Sequence, residues 1–407
     1  MSFLTKIYKE AAASNAVMYV FIGSSALSFF YTLVYQKYNG DFLGSQAYMG
    51  SYLLVMNVLL ALVPFPILWK LYSWFKLRQP NFAKPHWYGL FVGLTFTMLI
   101  WNIFITYFYG VGVASAEVFD APIAMKVIIQ ITIRFNIFWA VYLLVLMTPK
   151  KSVLDILIIL LVITLSLMRS SIGVFLFIPM ILTVKYYDEF LRFYRKNRLL
   201  SGFLIGLTLI SIHPLYDARS TLRGSDVEEM SSGEFLLGRL AGRLSSFSNS
   251  AVIIENTPFF FIQTLKFDDL FLQKQVLSGF LTSSFLPDNV PEVELFKLNN
   301  PGDDLIAASY MAGINGVLYL SLFKSIYVLI INVFTYLMLM LAIMWVGSTL
   351  RVRGALEMTF IVMLYLVTSG VGNELGAALL SLLIFSFIFN VFHRLRFVKT
   401  SSQTQVD

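Results

Sequence analysis

Six arginines are the residues of this chain best suited to chemistry. Arg219/Arg223 and Arg239/Arg243 form two i, i+4 pairs in a long hydrophilic segment, while Arg134 and Arg169 lie within or at the ends of apolar runs. A guanidinium is a planar fork that grips phosphate through two parallel hydrogen bonds. A cluster of such forks suits an anionic lipid head or a lipid diphosphate. In a reaction that expels diphosphate, these donors stabilise the charge growing on the leaving group, and removing one commonly costs about 3 kcal/mol. The plainer account of any one loop arginine is solvation, or pairing with a nearby carboxylate such as Asp226, Glu228 or Glu229. Arg134 weighs against idleness: a charge about two turns into an apolar run costs at least roughly 2.5 kcal/mol unless it faces a polar cavity or a partner.

Other groups offer proton transfer. His213, at the outer end of an apolar run, has a type suited to a general base, with a helix-end residue held by the dipole as the alternative. The carboxylates Glu255, Asp268, Asp269, Asp303, Asp304 and Glu374 and the pair Glu292/Glu294 are further candidates for a base or a metal ligand. One Glu-Val-Glu triplet in an acidic loop is a weak metal signature. There is no G-x-x-x-x-G-K-S/T loop, no H-E-x-x-H and no G-x-S-x-G. With no cysteine in the chain, thiolate chemistry, thiolate metal sites and disulfides are excluded. No metal site and no cofactor is expected.

The elements that must position these residues are membrane helices. The 407 residues are 58% hydrophobic and 13% charged, with mean hydropathy +0.75, against about a quarter charged in soluble domains. The net charge of +7 sits mainly in short loops, where it sets orientation; it does not mark a nucleic-acid partner. The predicted spans are 16–35, 48–69, 88–109, 127–147, 153–168, 172–187 and 199–215. After the loop come 325–347, 356–369 and 376–392, giving about ten spans with both termini cytoplasmic. Basic segments such as Lys70 to Lys84 and Lys185 to Arg198 are assigned to the cytoplasm. Spans 153–168 and 172–187 are short for a bilayer of about 30 Å, which predicts a recessed turn at Arg169-Ser170-Ser171. Residues 305–347 are too long for one crossing and predict a half-helix that breaks near Gly313 and Gly316 before the span.

The chain thus divides into residues 1–215 with seven spans, a large outer loop at 216–304, residues 305–399 with a half-helix and three spans, and a polar tail at 400–407. The loop carries thirteen acidic and seven basic residues. Within it Ser231 and Glu234 read as a capping box, predicting one helix to Asn256 with Pro258 as its stop. Leu240, Leu244, Phe247, Ala251 and Ile254 share one face of that helix; Arg239, Arg243, Ser246 and Ser250 share another. Residues 258–286 predict amphipathic helices lying on the membrane domain.

The span plan, the large loop in the second half, the Arg-Ser-Ser turn and the run Gly242-Arg243-Leu244-Ser245-Ser246-Phe247-Ser248-Asn249 resemble the O-antigen polymerases, among the bacterial oligosaccharide repeat-unit polymerases. As architecture the resemblance covers nearly the whole chain; at residue level it rests on Arg169 and the arginine-bearing loop. It implies an all-α, GT-C-like polytopic fold in the bacterial inner membrane. It also implies a glycosyltransferase joining undecaprenyl-diphosphate-linked oligosaccharides on the periplasmic face, beside a flippase and a chain-length regulator. Arg134, Arg169, Arg219, Arg223, Arg239 and Arg243 would then bind the diphosphate, with His213, Arg239 and Arg243 at the reacting centre. The family's Arg-x10-Gly pattern is not met, since Met230, Glu234, Ser250 and Ile254 stand eleven beyond the four loop arginines.

The nearest alternative is an O-antigen ligase, with the same leaving group and a lipid-core sugar as acceptor. A flippase or other transporter is a different class; internal symmetry between halves is its usual sign, and this chain has none.

Overall fold

The structure is a computed structural model that describes residues 11–79, 84–113, 121–150, 152–169, 173–204, 206–207, 238–239, 241–281, 283–299 and 311–395. In chain order the helices are α1 (Ala12–Tyr35), α2 (Ser51–Leu62), α3 (Pro64–Lys76), α4 (Tyr88–Tyr109), α5 (Ile123–Ile133), α6 (Ile137–Met147), α7 (Val153–Met168) and α8 (Gly173–Lys196). They continue as α9 (Phe247–Glu255), α10 (Thr257–Thr264), α11 (Phe271–Phe280), α12 (Pro291–Asn299), α13 (Gly313–Lys324), α14 (Ile326–Thr349), α15 (Ala355–Ser369) and α16 (Gly372–Arg394). Among the described residues the only β pairing is an isolated bridge between Lys37 and Gln46.

Five units are long and apolar enough to cross a bilayer: α1, the run Ser51–Lys76, α4, α14 and α16. The pair α5 and α6 makes a sixth, bent by 44°. At 1.5 Å rise per residue a helix of this length matches the roughly 30 Å hydrocarbon layer. Phe30, Ile100, Phe334 and Phe387 stay exposed on these helices, as a surface that meets lipid requires. By contrast α6, from Trp139 to Met147, and almost all of α15 are buried, so these two form the centre of the bundle. The protein is an all-helical membrane protein.

Side-chain contacts sort the helix ends into two sets. At one end Ser14 meets Tyr72, Lys76 pairs with Glu357, Trp87 donates to His393, and Lys185 reaches Asp155. Lys150, Arg192, Arg351 and Arg353 lie on the same segments, and we call this the basic end. At the other end residues 241–299 pack onto the bundle, and we call it the loop-bearing end.

Local sequence explains where helices depart from the predicted runs. The predicted span 127–147 is broken: Asn136 adopts an extended conformation and its Oδ1 accepts from Trp139 N at 3.2 Å, capping a new helix. The predicted loop helix to Asn256 is interrupted too. A turn at Ala241–Arg243 stops and α9 starts afresh at Phe247, because the Ser245 hydroxyl takes the Phe247 amide at 3.1 Å. The helix does end as expected, at Glu255 with Asn256 as its C-cap, and Pro258 then occupies the first turn of α10, where its missing N–H costs nothing. The half-helix before α14 runs through Gly316 and ends at Ser325, an extended residue whose side chain caps α14. Span 48–69 runs on to Lys76 and span 172–187 to Lys196, bending at Tyr186.

Residues 258–286 do form helices, but α11 is wedged in, not laid on. Its Gly279 meets α16 so closely that a Cβ there would fall 1.9 Å from the Asn373 carbonyl oxygen, and one on Gly376 would fall 2.1 Å from that of Val276. Only glycine permits such backbone contact.

Candidate functional site

Asp41 organises the loop-bearing end. It sits in the short turn Gly40–Phe42 between α1 and α2, and is only 9% exposed. Arg243 Nη2 donates to its Oδ1 at 2.9 Å, and Asn249 Nδ2 donates to Oδ2 at 3.1 Å and to the Met311 carbonyl at 2.6 Å. The turn fits because two glycines meet there: a Cβ on Gly242 would fall 2.2 Å from Gly40 N. Around this contact, Ser248 pairs with Asn39, Ser250 donates to Asn57 Oδ1 at 2.9 Å, and Tyr38 donates to Glu255. The Tyr48 amide completes the Glu255 partners at 3.1 Å.

The predicted cation-and-hydroxyl face is therefore mostly turned inward. Ser246 and Ser250 are buried, and Arg243 is largely covered by its ion pair. Arg239 is half-buried. Arg134 donates to the Leu281 carbonyl at 2.7 Å and the Gly279 carbonyl at 3.5 Å, closing the C-terminus of α11. Arg169 donates to Asn102 Oδ1 at 2.7 Å and Thr106 Oγ1 at 3.0 Å, with its guanidinium 5.9 Å from the Phe138 ring centre. Arg134 and Arg169 thus flank the break between α5 and α6, whereas Arg243 belongs to the Asp41 turn. His213, Arg219, Arg223, Asp303, Asp304, the Ser231–Glu234 box and the Ser170-Ser171 turn lie outside the described residues.

A second polar group lies where α11, α12 and α16 meet. Glu292 is 2% exposed, and Gln275 Nε2 donates to its Oε2 at 2.8 Å. Among the described residues no donor reaches Glu292 Oε1, Gln275 Oε1 or Asn373 Oδ1, all of them buried. Three acceptors without donors are costly unless a donor arrives or the carboxyl keeps its proton. Burial pushes the Glu292 carboxyl up to about 7; its own backbone amide and Gln275 oppose this, and the charge of Glu374 adds to it. Glu374, in the first turn of α16, accepts from Ser369 Oγ at 2.8 Å. Glu294 points elsewhere and takes Lys297 at 3.1 Å.

Tyr365 on α15 lies within electrostatic range of Glu374, Arg243 and Asp41. Sequence reasoning singled out Arg243, Glu292 and Glu374 but not Asp41, Gln275, Asn373 or Tyr365. An acid in the short turn between two apolar runs is the signal that would have found Asp41; the amides carry none. Among the described residues no three His, Asp or Glu side chains gather as a metal site.

Comparison of the chain with family models, with curated proteins and with solved structures returns no match.

Proposed function

We propose that this protein is a polysaccharide polymerase: a glycosyltransferase that joins undecaprenyl-diphosphate-linked oligosaccharides. The observation that carries this reading is the buried, donor-poor cluster Glu292, Gln275 and Asn373, which lies in the field of Glu374 at the same loop-bearing end as Arg243. Sugar hydroxyls are the donors that such acceptors lack. A carboxyl with a pKa of about 7 is well matched to taking a proton at neutral pH. In the proposed step Glu292 removes the proton from an acceptor hydroxyl, whose oxygen bonds to the anomeric carbon of the lipid-linked chain. The bond from that carbon to the diphosphate oxygen breaks, and the lipid diphosphate leaves with the electron pair. Arg243 and Arg239 stabilise its charge, the Asp41 ion pair opening to release the Arg243 fork.

The same reading supplies the finer architecture: about ten spans in a GT-C-like arrangement, an inner-membrane location, and the loop-bearing end facing the periplasm. That orientation follows from the basic end, which the positive-inside rule puts in the cytoplasm.

One observation favours a second class. Two carboxyls at the loop-bearing end, Glu292 buried on α12 and Glu374 in the first turn of the membrane helix α16, are also what a proton-coupled transporter of lipid-linked oligosaccharide needs. The size profile of surface polysaccharide from a strain lacking this gene separates the two. The polymerase reading expects lipid capped with a single repeat unit and no ladder, restored on complementation. Loss of every attached repeat selects the transporter or a ligase, and an unchanged ladder sinks the pathway assignment.

A further inference from the structure

The basic end holds a cavity of about 470 Å3, between the ends of α1, α3, α6, α8 and α15. That is within the size range of small-molecule sites. Four cations line it, Lys84, Lys150, Lys185 and Arg353, against two carboxylates, Asp188 and Glu357.

Most of these charges are committed. Glu357 is taken by Lys76, Lys185 by Asp155, and Lys150 by Glu189. Lys84 rests on an aromatic face, its ammonium 3.9 Å from the Tyr88 ring centre. Arg353 is exposed and makes no hydrogen bond or ion pair among the described residues. Both Arg353 and Lys150 repel the Lys185 ammonium. Like charges gathered around one concave space raise its potential and favour an anion that bridges them. The remaining wall is mixed: Leu146, Met147 and Val184 are apolar, while Ser14, Tyr72 and Thr148 bring hydroxyls.

We propose that this cavity binds the phosphodiester headgroup of an anionic phospholipid, with Lys84 and Arg353 as the residues that grip it. The position argues for a lipid source, because the cavity lies where apolar helices end and basic loops begin, the depth at which headgroups sit. Basic pockets between membrane helices take anionic heads by this chemistry. A soluble phosphate would offer the same oxyanion but gain nothing from the apolar wall. This proposal is independent of what the loop-bearing end does.

The test uses the whole protein purified in detergent and mixed in turn with cardiolipin, phosphatidylglycerol, phosphatidylcholine or inorganic phosphate. Retained lipid is read by native mass spectrometry, with the unfolding midpoint followed in parallel. Cardiolipin and phosphatidylglycerol are retained and phosphatidylcholine is not. The double variant Lys84→Gln/Arg353→Gln weakens their retention about 30-fold, from two surface cations at about a tenfold-per-1.4 kcal/mol scale. Both side chains are exposed, so its midpoint without lipid stays at the wild-type value; Lys84→Gln alone is the reserve variant, with a smaller loss. Equal retention of phosphatidylcholine, or full retention by the variants, overturns the proposal. If inorganic phosphate displaces the lipid and reproduces the whole midpoint shift, the lipid assignment falls and a soluble anion takes its place.

Discussion

At the basic end Asp155 is 4% exposed and receives Lys185, Thr148 and Tyr186, so both carboxylate oxygens are engaged. At the loop-bearing end Glu292 is 2% exposed and receives Gln275 on one oxygen, while the other accepts nothing among the described residues. The two acids are equally buried and differ in how they are satisfied. A saturated buried acid locks together the helices that supply its partners. An under-satisfied one sits near neutrality, keeps or sheds a proton easily, and leaves room for an incoming donor. On the proposed function, architecture and chemistry are divided between opposite ends of one bundle.

The sharpest way to break this comparison is to truncate both acids. Asp155→Ala strands the Lys185 ammonium in the bundle and is expected to cost about 4 kcal/mol, read as a fall in unfolding midpoint in detergent. Glu292→Gln acts in the opposite direction. Because folding raises this carboxyl from 4.5 to about 7, the folded state holds its proton more tightly than the unfolded chain. Wild-type stability is therefore greatest below pH 4.5, declines as pH rises toward 7 and is flat above, a total loss of about 3 kcal/mol. The variant lacks this decline and is more stable than wild type at pH 8; unfolding midpoints followed against pH check both statements.

Smaller effects sharpen the boundary between the ends. Arg134→Gln removes the charged donor from the α11 carbonyls and is expected to cost about 1.5 kcal/mol in the same assay, without changing the pH profile. Glu189→Gln breaks the Lys150–Glu189 pair at the solvent surface and should leave the midpoint unchanged within error.

How much of this was legible in the sequence depended on what bounded each run. The bounds 88–109 and 153–168 match α4 and α7 residue for residue, since Gly110 closes the first run and Ser152 and Arg169 bound the second. The break at Asn136 was hidden because one capping amide inside a continuous apolar run does not alter its periodicity. The serine-rich segment misled for a related reason: Ser250 satisfies the helical period but spends its hydroxyl on Asn57, and Ser245 accepts the Phe247 amide and restarts the helix. Arginines were visible as a type, whereas their partners Asp41, Gly279 and Leu281 come from other parts of the chain. The Gln275–Glu292–Asn373 cluster spans residues nearly a hundred positions apart, and only the glycine-to-backbone packing of α11 on α16 brings them together.

The central claim is that the acceptor cluster and the Asp41-bound arginine make one reaction centre. Its most direct test is chain elongation by the purified protein in lipid nanodiscs, supplied with undecaprenyl-diphosphate-linked repeat units and followed by product mass. The account predicts a ladder from wild type whose rate rises through pH 7 and levels above it. Arg243→Lys, which keeps the charge on Asp41 but loses the fork, is expected to elongate about 100-fold more slowly. Glu292→Gln should give no ladder at any pH while remaining folded. Full elongation by Arg243→Lys and Glu292→Gln, at wild-type abundance and with an unchanged pH profile, would contradict the account.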